Sequence, residues 1–191
     1  MGRFSQARFQ LSAAAAEQFP ADCGAEVAFV GRSNAGKSSA INAITQRHGL
    51  ARTSKTPGRT RLLNFFELGS LQRLVDLPGY GYASGPQDER RTWQPLIDAL
   101  RRRESLRGLF VIVDARRGIT EGDEVLLGWA GIDLPVHVLL SKADKLNRSE
   151  SNQALRTAAE VLEERATVQL FSAVAGTGVD EAQRTLGRWL A

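Results

Sequence analysis

Residues 31–38 of the chain read G-R-S-N-A-G-K-S, and this stretch decides the fold because it matches G-x-x-x-x-G-K-[ST] at every defined position. The glycines of this pattern let the backbone curl, so that successive N–H groups point at phosphate oxygens. Lys37 supplies a positive charge to the β- and γ-phosphates, and the Ser38 hydroxyl is a ligand for Mg²⁺. The stretch therefore predicts a loop that holds a nucleoside triphosphate.

The residues on either side of this loop support the interpretation. Residues 26–30 (E-V-A-F-V) form a short apolar run typical of a strand, and residues 37–45 carry Ala40, Ile41 and Ile44 at helical spacing. A strand that enters the loop and a helix that leaves it place the helix N-terminus, with its partial positive charge, at the phosphates. The alternative is a glycine-rich turn that matches the pattern by chance, and such a turn would not need a strand before it and a helix after it.

The composition fits one domain with its own core. Of the 191 residues, 42% are hydrophobic, and Cys23 is the one cysteine, which favours a reducing compartment because it cannot form an internal disulfide. The chain has no run of 18 apolar residues, and its alanine-rich segment near the N-terminus is short and followed by Glu17, so neither a membrane span nor a signal peptide is predicted. We expect a cytoplasmic monomer with an N-terminal arm, residues 1–23, and a single domain, residues 24–191.

Basic residues are concentrated in the middle third of the chain. Residues 47–117 hold 14 Lys and Arg against 7 Asp and Glu, with arginine runs at 90–91, 101–103 and 116–117. Such clustering is the electrostatic footprint of a surface that binds a polyanion. An arginine-rich solvated surface is the alternative, and charge alone does not decide between the two.

Apolar patterning predicts strands that alternate with helices. Strands are expected at 26–30, 62–68, 71–76, 109–114, 136–140 and 167–171, and helices at 37–45, 93–103, 120–132, 149–164 and from 177 onward. This order predicts an α/β fold of three layers, in which a mostly parallel six-stranded sheet with one antiparallel edge strand has helices on both faces. Two polar or glycine-rich stretches, 47–61 and 77–87, are expected to be loops, and long loops in compact domains are usually functional.

Two motifs are suited to sensing a γ-phosphate. Residues 76–79 (D-L-P-G) follow a predicted strand and fit D-x-x-G, where Asp76 can hold Mg²⁺ through water and the Gly79 N–H can meet the γ-phosphate. Thr60 lies at the end of the first predicted loop, where its hydroxyl can bind Mg²⁺. Each motif is short and weakly specific by itself.

Two further motifs are suited to recognising guanine. Residues 141–144 (S-K-A-D) approximate [NT]-K-x-D, in which Asp144 can accept two N–H bonds that guanine offers and adenine does not. A site built to bind such N–H groups rejects an analogue without them by up to ~10⁴–10⁵-fold. Residues 171–173 (F-S-A) follow the last strand, where a backbone N–H can meet the guanine O6. Together the five motifs, in this order at strand ends, predict a P-loop domain that binds guanine nucleotides.

The chain also resembles the EngB (YihA/YsxC) family of ribosome-biogenesis GTPases, a branch of P-loop GTPases. The resemblance rests on G-R-S-N-A-G-K-S-S at 31–39, K-T-P-G-R-T at 55–60 followed by L-L-N-F-F at 62–66, and V-D-L-P-G-Y-G-Y-A at 75–83, and it covers about residues 5–190. It implies a P-loop GTPase fold and a GTPase that uses GTP and Mg²⁺, cycles to GDP, and acts late in assembly of the large ribosomal subunit.

Carried over by position, the resemblance also implies the residues of the nucleotide site. These are Gly31, Arg32, Ser33, Asn34, Ala35, Gly36, Lys37, Ser38, Ser39, Gly58, Arg59, Thr60, Arg61, Leu62, Asp76, Leu77, Pro78, Gly79, Ser141, Lys142, Ala143, Asp144, Phe171, Ser172 and Ala173. Ser38 and Thr60 would be the direct Mg²⁺ ligands, and Asp76 would act through water. At Ser141 the family usually has Thr, and the hydroxyl is kept.

Hydrolysis is expected to be slow without a partner or an ion. Phosphoryl transfer depends on positioning and charge stabilisation, which the loop amides, Lys37 and Mg²⁺ supply. Ras-type GTPases orient the attacking water with a glutamine directly after D-x-x-G, whereas this chain has Tyr80 there. Asn34 occupies the position at which potassium-stimulated GTPases bind K⁺, which would supply further positive charge. A role for Asn34 in stabilising the loop alone is the alternative.

Two kinds of partner are consistent with these features. The basic middle third overlaps both predicted loops, which favours a GTP-gated, salt-sensitive contact with ribosomal RNA in a precursor of the large subunit. The alternative is a signalling or scaffolding switch, for example in cell division or septation, in which GTP gates a protein partner and RNA has no part.

Overall fold

The computed structural model describes residues 4–51, 62–69, 71–80 and 86–191, and for residues 86–93 it describes the backbone alone. Its strands are β1 (Arg8–Ala13), β2 (Ala25–Gly31), β3 (Leu63–Gly69), β4 (Gln72–Asp76), β5 (Leu106–Asp114), β6 (Val136–Ser141) and β7 (Thr167–Leu170). Its helices are α1 (Lys37–Thr45), α2 (Pro86–Arg101), α3 (Glu121–Ala130), α4 (Arg148–Leu162) and α5 (Val179–Trp189), with short 3₁₀ turns at Ala16–Gln18 and Ala143–Lys145.

The strands form one sheet in the order β1-β3-β4-β2-β5-β6-β7. β3 runs antiparallel to both of its neighbours, and the other pairs are parallel. The α/β fold is confirmed, but the described chain contributes seven strands and the prediction of six was wrong. The additional strand, β1, comes from the predicted arm and pairs with β3 at the edge of the sheet. The division into an arm and a domain at residue 23 stays a prediction.

Helices cover both faces of the sheet, as the sequence predicts. On β2, Val27 and Phe29 face an apolar cluster shared with α1 and α5, whereas Ala28 and Val30 face a second cluster shared with α2, α3 and α4. Alternate residues of a strand point to opposite faces, so a strand covered on both sides is expected to be mostly apolar, and in β2 Glu26 is the charged exception. Every residue of β2 is buried. Among the described helices, none is long and apolar enough to cross a membrane.

The amino ends of the central strands meet in a group of charges, buried except for Asp22, which we call the amino-end cluster: Glu26, Arg73, Arg103 and Asp22. The Glu26 carboxylate is fully buried and lies 3.1 Å from Arg73 Nη1 and 2.7 Å from Arg103 Nε. Arg103 Nη2 also donates to the carbonyls of Pro20 and Ala21 at 3.0 and 3.1 Å. The cluster therefore fastens the N-terminal segment to the sheet.

Asp22 completes this cluster from the N-terminal segment. Its carboxylate accepts bonds from the backbone N–H groups of Glu104 and Ser105, both at 3.0 Å, and from the Ser105 hydroxyl at 2.6 Å. Partial burial opposes ionisation, but these hydrogen bonds outweigh it and lower the pKa of Asp22.

The amino-end cluster changes how the basic middle third is interpreted. Arg73 and Arg103 both belong to that region of the sequence, yet their side chains are 9% and 8% exposed and pair with Glu26. Neither can contribute to a surface for a polyanion. The exposed arginines of the region, within the side chains that the structure describes, are Arg47, Arg102, Arg107, Arg116 and Arg117.

Candidate nucleotide-binding site

The phosphate loop, residues 31–38, lies between the end of β2 and the start of α1. A Cβ atom at Gly31 would lie 2.6 Å from the Ile112 carbonyl oxygen, so only glycine lets β5 approach this closely. Gly36, the N-cap of α1, has φ +102°, and Asn34 has φ +66°. These left-handed residues curl the loop over the N-terminus of α1, where the first N–H groups have no partner within the helix. The loop thus has the shape that an anion site requires.

Lys37 and Asp76 are brought into direct contact. Lys37 begins α1 and Asp76 ends β4, and the Lys37 ammonium donates a hydrogen bond to Asp76 Oδ1. Both side chains are largely buried, at 12% and 9% exposed. Ser38 follows Lys37 in the first turn of α1 and is half-buried, whereas Ser39 is exposed. Among the described residues, Lys37, Ser38 and Asp76, which the sequence assigns to phosphate and Mg²⁺, therefore lie in one corner of the site.

The D-x-x-G segment packs directly on the phosphate loop. Ser33 N donates to the Tyr80 carbonyl at 2.8 Å, and Tyr80 N lies 3.3 Å from the Gly31 carbonyl oxygen. A Cβ atom at Gly79 would lie 2.9 Å from Ser33 Oγ and 3.2 Å from Ser33 Cα. This close contact fixes the Gly79 backbone beside the loop predicted to hold the phosphates.

The S-K-A-D segment is also tied to the phosphate loop. Ser141 Oγ contacts the Ala35 carbonyl, and Lys142, in a left-handed conformation at φ +59°, donates from Nζ to the Asn34 carbonyl at 2.6 Å. Lys142 Nζ also lies 2.9 Å from Asp114 Oδ2. The Lys142 aliphatic chain therefore spans the gap between the predicted guanine pocket and the phosphate loop.

Asp144, the residue predicted to bind guanine, is held by contacts with Ser172 and Lys145. The Ser172 hydroxyl, fully buried, donates to Asp144 Oδ1 at 2.6 Å, and Lys145 Nζ lies 3.3 Å from Oδ2. The hydrogen bond from Ser172 is the main cause that lowers the pKa of Asp144, so the carboxylate is ionised and able to accept N–H groups. Ala143 N donates to the Phe171 carbonyl at 3.1 Å and so joins the two guanine segments.

Asp114 contacts this site although it belongs to none of the five motifs. It is the last residue of β5, and its carboxylate binds Arg116 at 2.9 Å (Nε) and 2.7 Å (Nη2) as well as Lys142. The Arg116 hydrogen bonds are the chief reason that its pKa lies below the usual range. The signal was present in the sequence, because Asp114 ends a strand at the edge where an α/β sheet binds ligands.

The Tyr80 side chain lies between Arg32 of the phosphate loop and the beginning of α3. Its phenol donates to Asp123 Oδ1, and its ring packs so closely on Gly122 that a Cβ there would lie 2.8 Å from Tyr80 Cε2. Burial, followed by the negative charge of Asp123, raises the pKa of Tyr80, so the phenol keeps its proton. The residue after D-x-x-G is therefore engaged in a protein contact.

Four of the predicted site residues lie outside the described residues: Gly58, Arg59, Thr60 and Arg61. Leu62 is described and is half-buried just before β3. The assignment of Thr60 to Mg²⁺ stays a prediction.

Comparison with known proteins gives one consistent result. Residues 26–142 match the family model described as "50S ribosome-binding GTPase". The "Probable GTP-binding protein EngB" of Coxiella burnetii (strain CbuG_Q212) is 49% identical over 97% of this chain and 93% of that relative. The protein of the same name from Nitrosococcus oceani is 52% identical over 98% of this chain and 96% of that relative.

Solved structures share the fold at lower identity. A crystal structure of a probable GTP-binding protein engB aligns with a TM-score of 0.69 and 22% identity over 87% of this chain and 98% of its own. Era, solved in complex with MgGDPNP and nucleotides of 16S ribosomal RNA, aligns with a TM-score of 0.64 and 22% identity over 87% of this chain and 57% of its own.

The fold, the motif order and these matches define a P-loop GTPase that binds GTP. Within that class, the chain belongs to the EngB family of GTP-binding proteins.

Proposed function

We propose that this GTPase is a nucleotide-dependent switch in the assembly of the large ribosomal subunit and hydrolyses GTP slowly on its own. The observation that carries the proposal is the match of residues 26–142 to a family described as 50S ribosome-binding. The exposed arginines of the middle third supply a means of contact, although Arg73 and Arg103 do not belong to that surface.

The described residues suit GTP with Mg²⁺. Asp144, held by Ser172, would accept the guanine N–H groups, and Lys37 with the loop amides would hold the phosphates. Ser38 and Asp76 offer the oxygen ligands that Mg²⁺ prefers, and this ion is commonly bound by few protein groups together with phosphate and water. When bound, Mg²⁺ would neutralise charge on the β- and γ-phosphates.

Slow intrinsic hydrolysis follows from the position of Tyr80. Its hydroxyl is bound to Asp123, so the side chain directly after D-x-x-G is not free to orient a water molecule. A partner or an ion would then complete the site. Single-turnover GTP hydrolysis measured with and without large-subunit precursors tests this, and a fast rate for the isolated protein would contradict it.

We also propose that Asn34 binds K⁺ during hydrolysis. The Asn34 main-chain carbonyl already accepts a bond from Lys142, so its exposed side chain would be the ligand. GTPase rates in KCl and NaCl at equal ionic strength test this proposal. Equal rates would leave Asn34 with a structural role in the loop.

The partner is tested by sedimentation with large-subunit precursors at rising salt in GTP and in GDP. Contacts between arginines and phosphates release counterions, so binding should weaken steeply with salt and should depend on the nucleotide. Binding indifferent to both would contradict the ribosomal role. A protein-gating switch without RNA is the second candidate, and isolated cellular complexes that contain protein but no ribosomal RNA would favour it.

A further inference from the structure

Tyr80 joins the phosphate loop to the beginning of α3. Its main chain binds Gly31 and Ser33, as described above, while its phenol reaches Asp123 in the first turn of α3. The ring fills the space between them, packed on the Gly122 backbone and on the apolar core. One residue therefore connects two elements that are adjacent in space and distant in sequence.

Asp123 is a rigid anchor for this connection. It is 3% exposed, and its second oxygen, Oδ2, accepts bonds from Thr120 N at 2.8 Å and Thr120 Oγ1 at 2.7 Å. These bonds close the N-terminus of α3 and hold the carboxylate whether or not Tyr80 is bound. Oδ1 is thereby aimed at the Tyr80 phenol.

We propose that Asp123 is a positioning residue for γ-phosphate recognition, which acts through Tyr80 to hold the Gly79 backbone against the phosphate loop. This inference rests on the GTP site described above and is independent of the ribosomal role. In the D-x-x-G motif the Gly79 N–H meets the γ-phosphate, and Gly79 directly precedes Tyr80. Loss of the phenol contact would let Gly79 move away from Ser33, which weakens GTP binding and leaves GDP binding unchanged because GDP has no γ-phosphate.

The test compares Tyr80→Phe with Thr120→Val. Both variants remove one hydrogen bond to Asp123, but Tyr80→Phe breaks the phenol contact between Asp123 and the residue that follows Gly79, whereas Thr120→Val weakens the α3 cap alone. Affinities for GDP and for a non-hydrolysable GTP analogue are measured by calorimetry with Mg²⁺ present. We expect the preference for the analogue over GDP to fall about tenfold in Tyr80→Phe, the size of one charge-assisted hydrogen bond, and to stay at the wild-type value in Thr120→Val.

An unchanged preference in Tyr80→Phe, or an equal change in both variants, would overturn the inference. If the wild-type protein binds neither nucleotide, the proposed GTP site is wrong, and the inference that rests on it is wrong too. Phe keeps the ring that packs on Gly122, so Tyr80→Phe should fold. If its circular dichroism shows that it does not fold, Asp123→Asn is tested instead. The Asn amide oxygen can still accept from Thr120 N, so the α3 cap is kept, and the preference for the analogue over GDP should fall severalfold.

Discussion

The two ends of the central sheet both pair carboxylates with basic side chains, but they do so in different ways. At the amino end, Glu26 is enclosed by two arginines, and each of these also binds main-chain carbonyls of the N-terminal segment. At the carboxyl end, Asp76 pairs with Lys37 and Asp114 with Lys142, and Asp114 also binds Arg116, whose side chain is about half exposed.

The difference shows that a pair between a carboxylate and a basic side chain can either stabilise the fold or take part in ligand binding. Arginine holds a carboxylate with a rigid, planar set of donors, which suits a permanent buried link. Lysine is a compact charge on a flexible chain and can move from a carboxylate to a phosphate with little rearrangement. We therefore expect changes at the amino end to affect stability and changes at the carboxyl end to affect nucleotide binding.

The largest effect is expected for Glu26→Gln. Removal of one member of a buried ion pair leaves the other charges uncompensated and typically costs about 3–5 kcal/mol. The free energy of unfolding, measured with urea, should fall by that amount, while the GTP affinity of the folded protein stays within about twofold. Glu67→Gln is the matched control, because the pair of Glu67 with Arg8 is exposed and should contribute less than about 1 kcal/mol.

Lys37→Ala should show the reverse pattern. Loss of its charge-assisted contacts to phosphate should reduce GTP affinity at least ~100-fold, equivalent to about 3 kcal/mol. Thermal unfolding without nucleotide should change far less than in Glu26→Gln. A large loss of stability with unchanged affinity would mean that the pair with Asp76 is structural, and the contrast between the two ends would fail.

Asp114→Asn tests whether binding of the guanine base depends on the position of Lys142. The amide keeps the size of the side chain but loses the charge that holds Lys142 at 2.9 Å. We expect GTP and GDP affinities to fall together by about tenfold, since both nucleotides carry the same base. Arg116→Gln removes the exposed partner of Asp114 and should have a smaller effect. A loss confined to GTP would contradict this role.

The smallest effect is the pH dependence of stability at the amino end. His137, at the start of β6, is buried beside Gln169 and Thr167, and burial is the main cause that lowers its pKa from 6.5 despite Glu181 on α5. The folded protein therefore keeps the ring neutral, while the unfolded chain gains a proton below about pH 6.5.

Stability should consequently be full above pH 6.5 and decline as the pH falls toward the folded pKa, by at most about 1.4 kcal/mol per pH unit. Urea titrations between pH 7.5 and 5.5 measure this slope. His137→Asn should abolish it, and Asp114→Asn should retain it, because the pKa of Asp114 lies far below this range. A slope that persists in His137→Asn would assign the effect to other groups.

Local patterns predicted most of the fold. Helix α1 spans residues 37–45 as expected, because its apolar spacing and the preceding glycine are both local signals. Helix α2 begins at Pro86, whereas the prediction placed its start at residue 93. The prediction was late because a Gly-Pro pair suggests a loop, yet proline is favoured at the first position of a helix. Strand β1, in which Phe9, Leu11 and Ala13 alternate, lies within the segment that was predicted to be an N-terminal arm.

Contacts between residues that are far apart in the chain could not be predicted from local sequence patterns. A count of charges cannot tell that Arg103 is buried, because its partner Glu26 lies 77 residues earlier. In the same way, the contact of Tyr80 with Asp123 joins residues 43 positions apart, and no local pattern connects them. The motif residues that the structure describes lie at the carboxyl edge of the sheet, but the side chains that hold them in position come from other strands and helices.

The amino-end cluster also sets an order of events during synthesis. The phosphate loop and α1 lie next to each other in the chain, whereas Glu26 acquires its last partner only when Arg103 has been made. As the ribosome delivers the chain from its N-terminus, β2 emerges with an acidic residue that no arginine yet neutralises. The Pro20 and Ala21 carbonyls therefore gain their bonds from Arg103 only after more than half of the protein has been made, and contacts that span such distances form slowly.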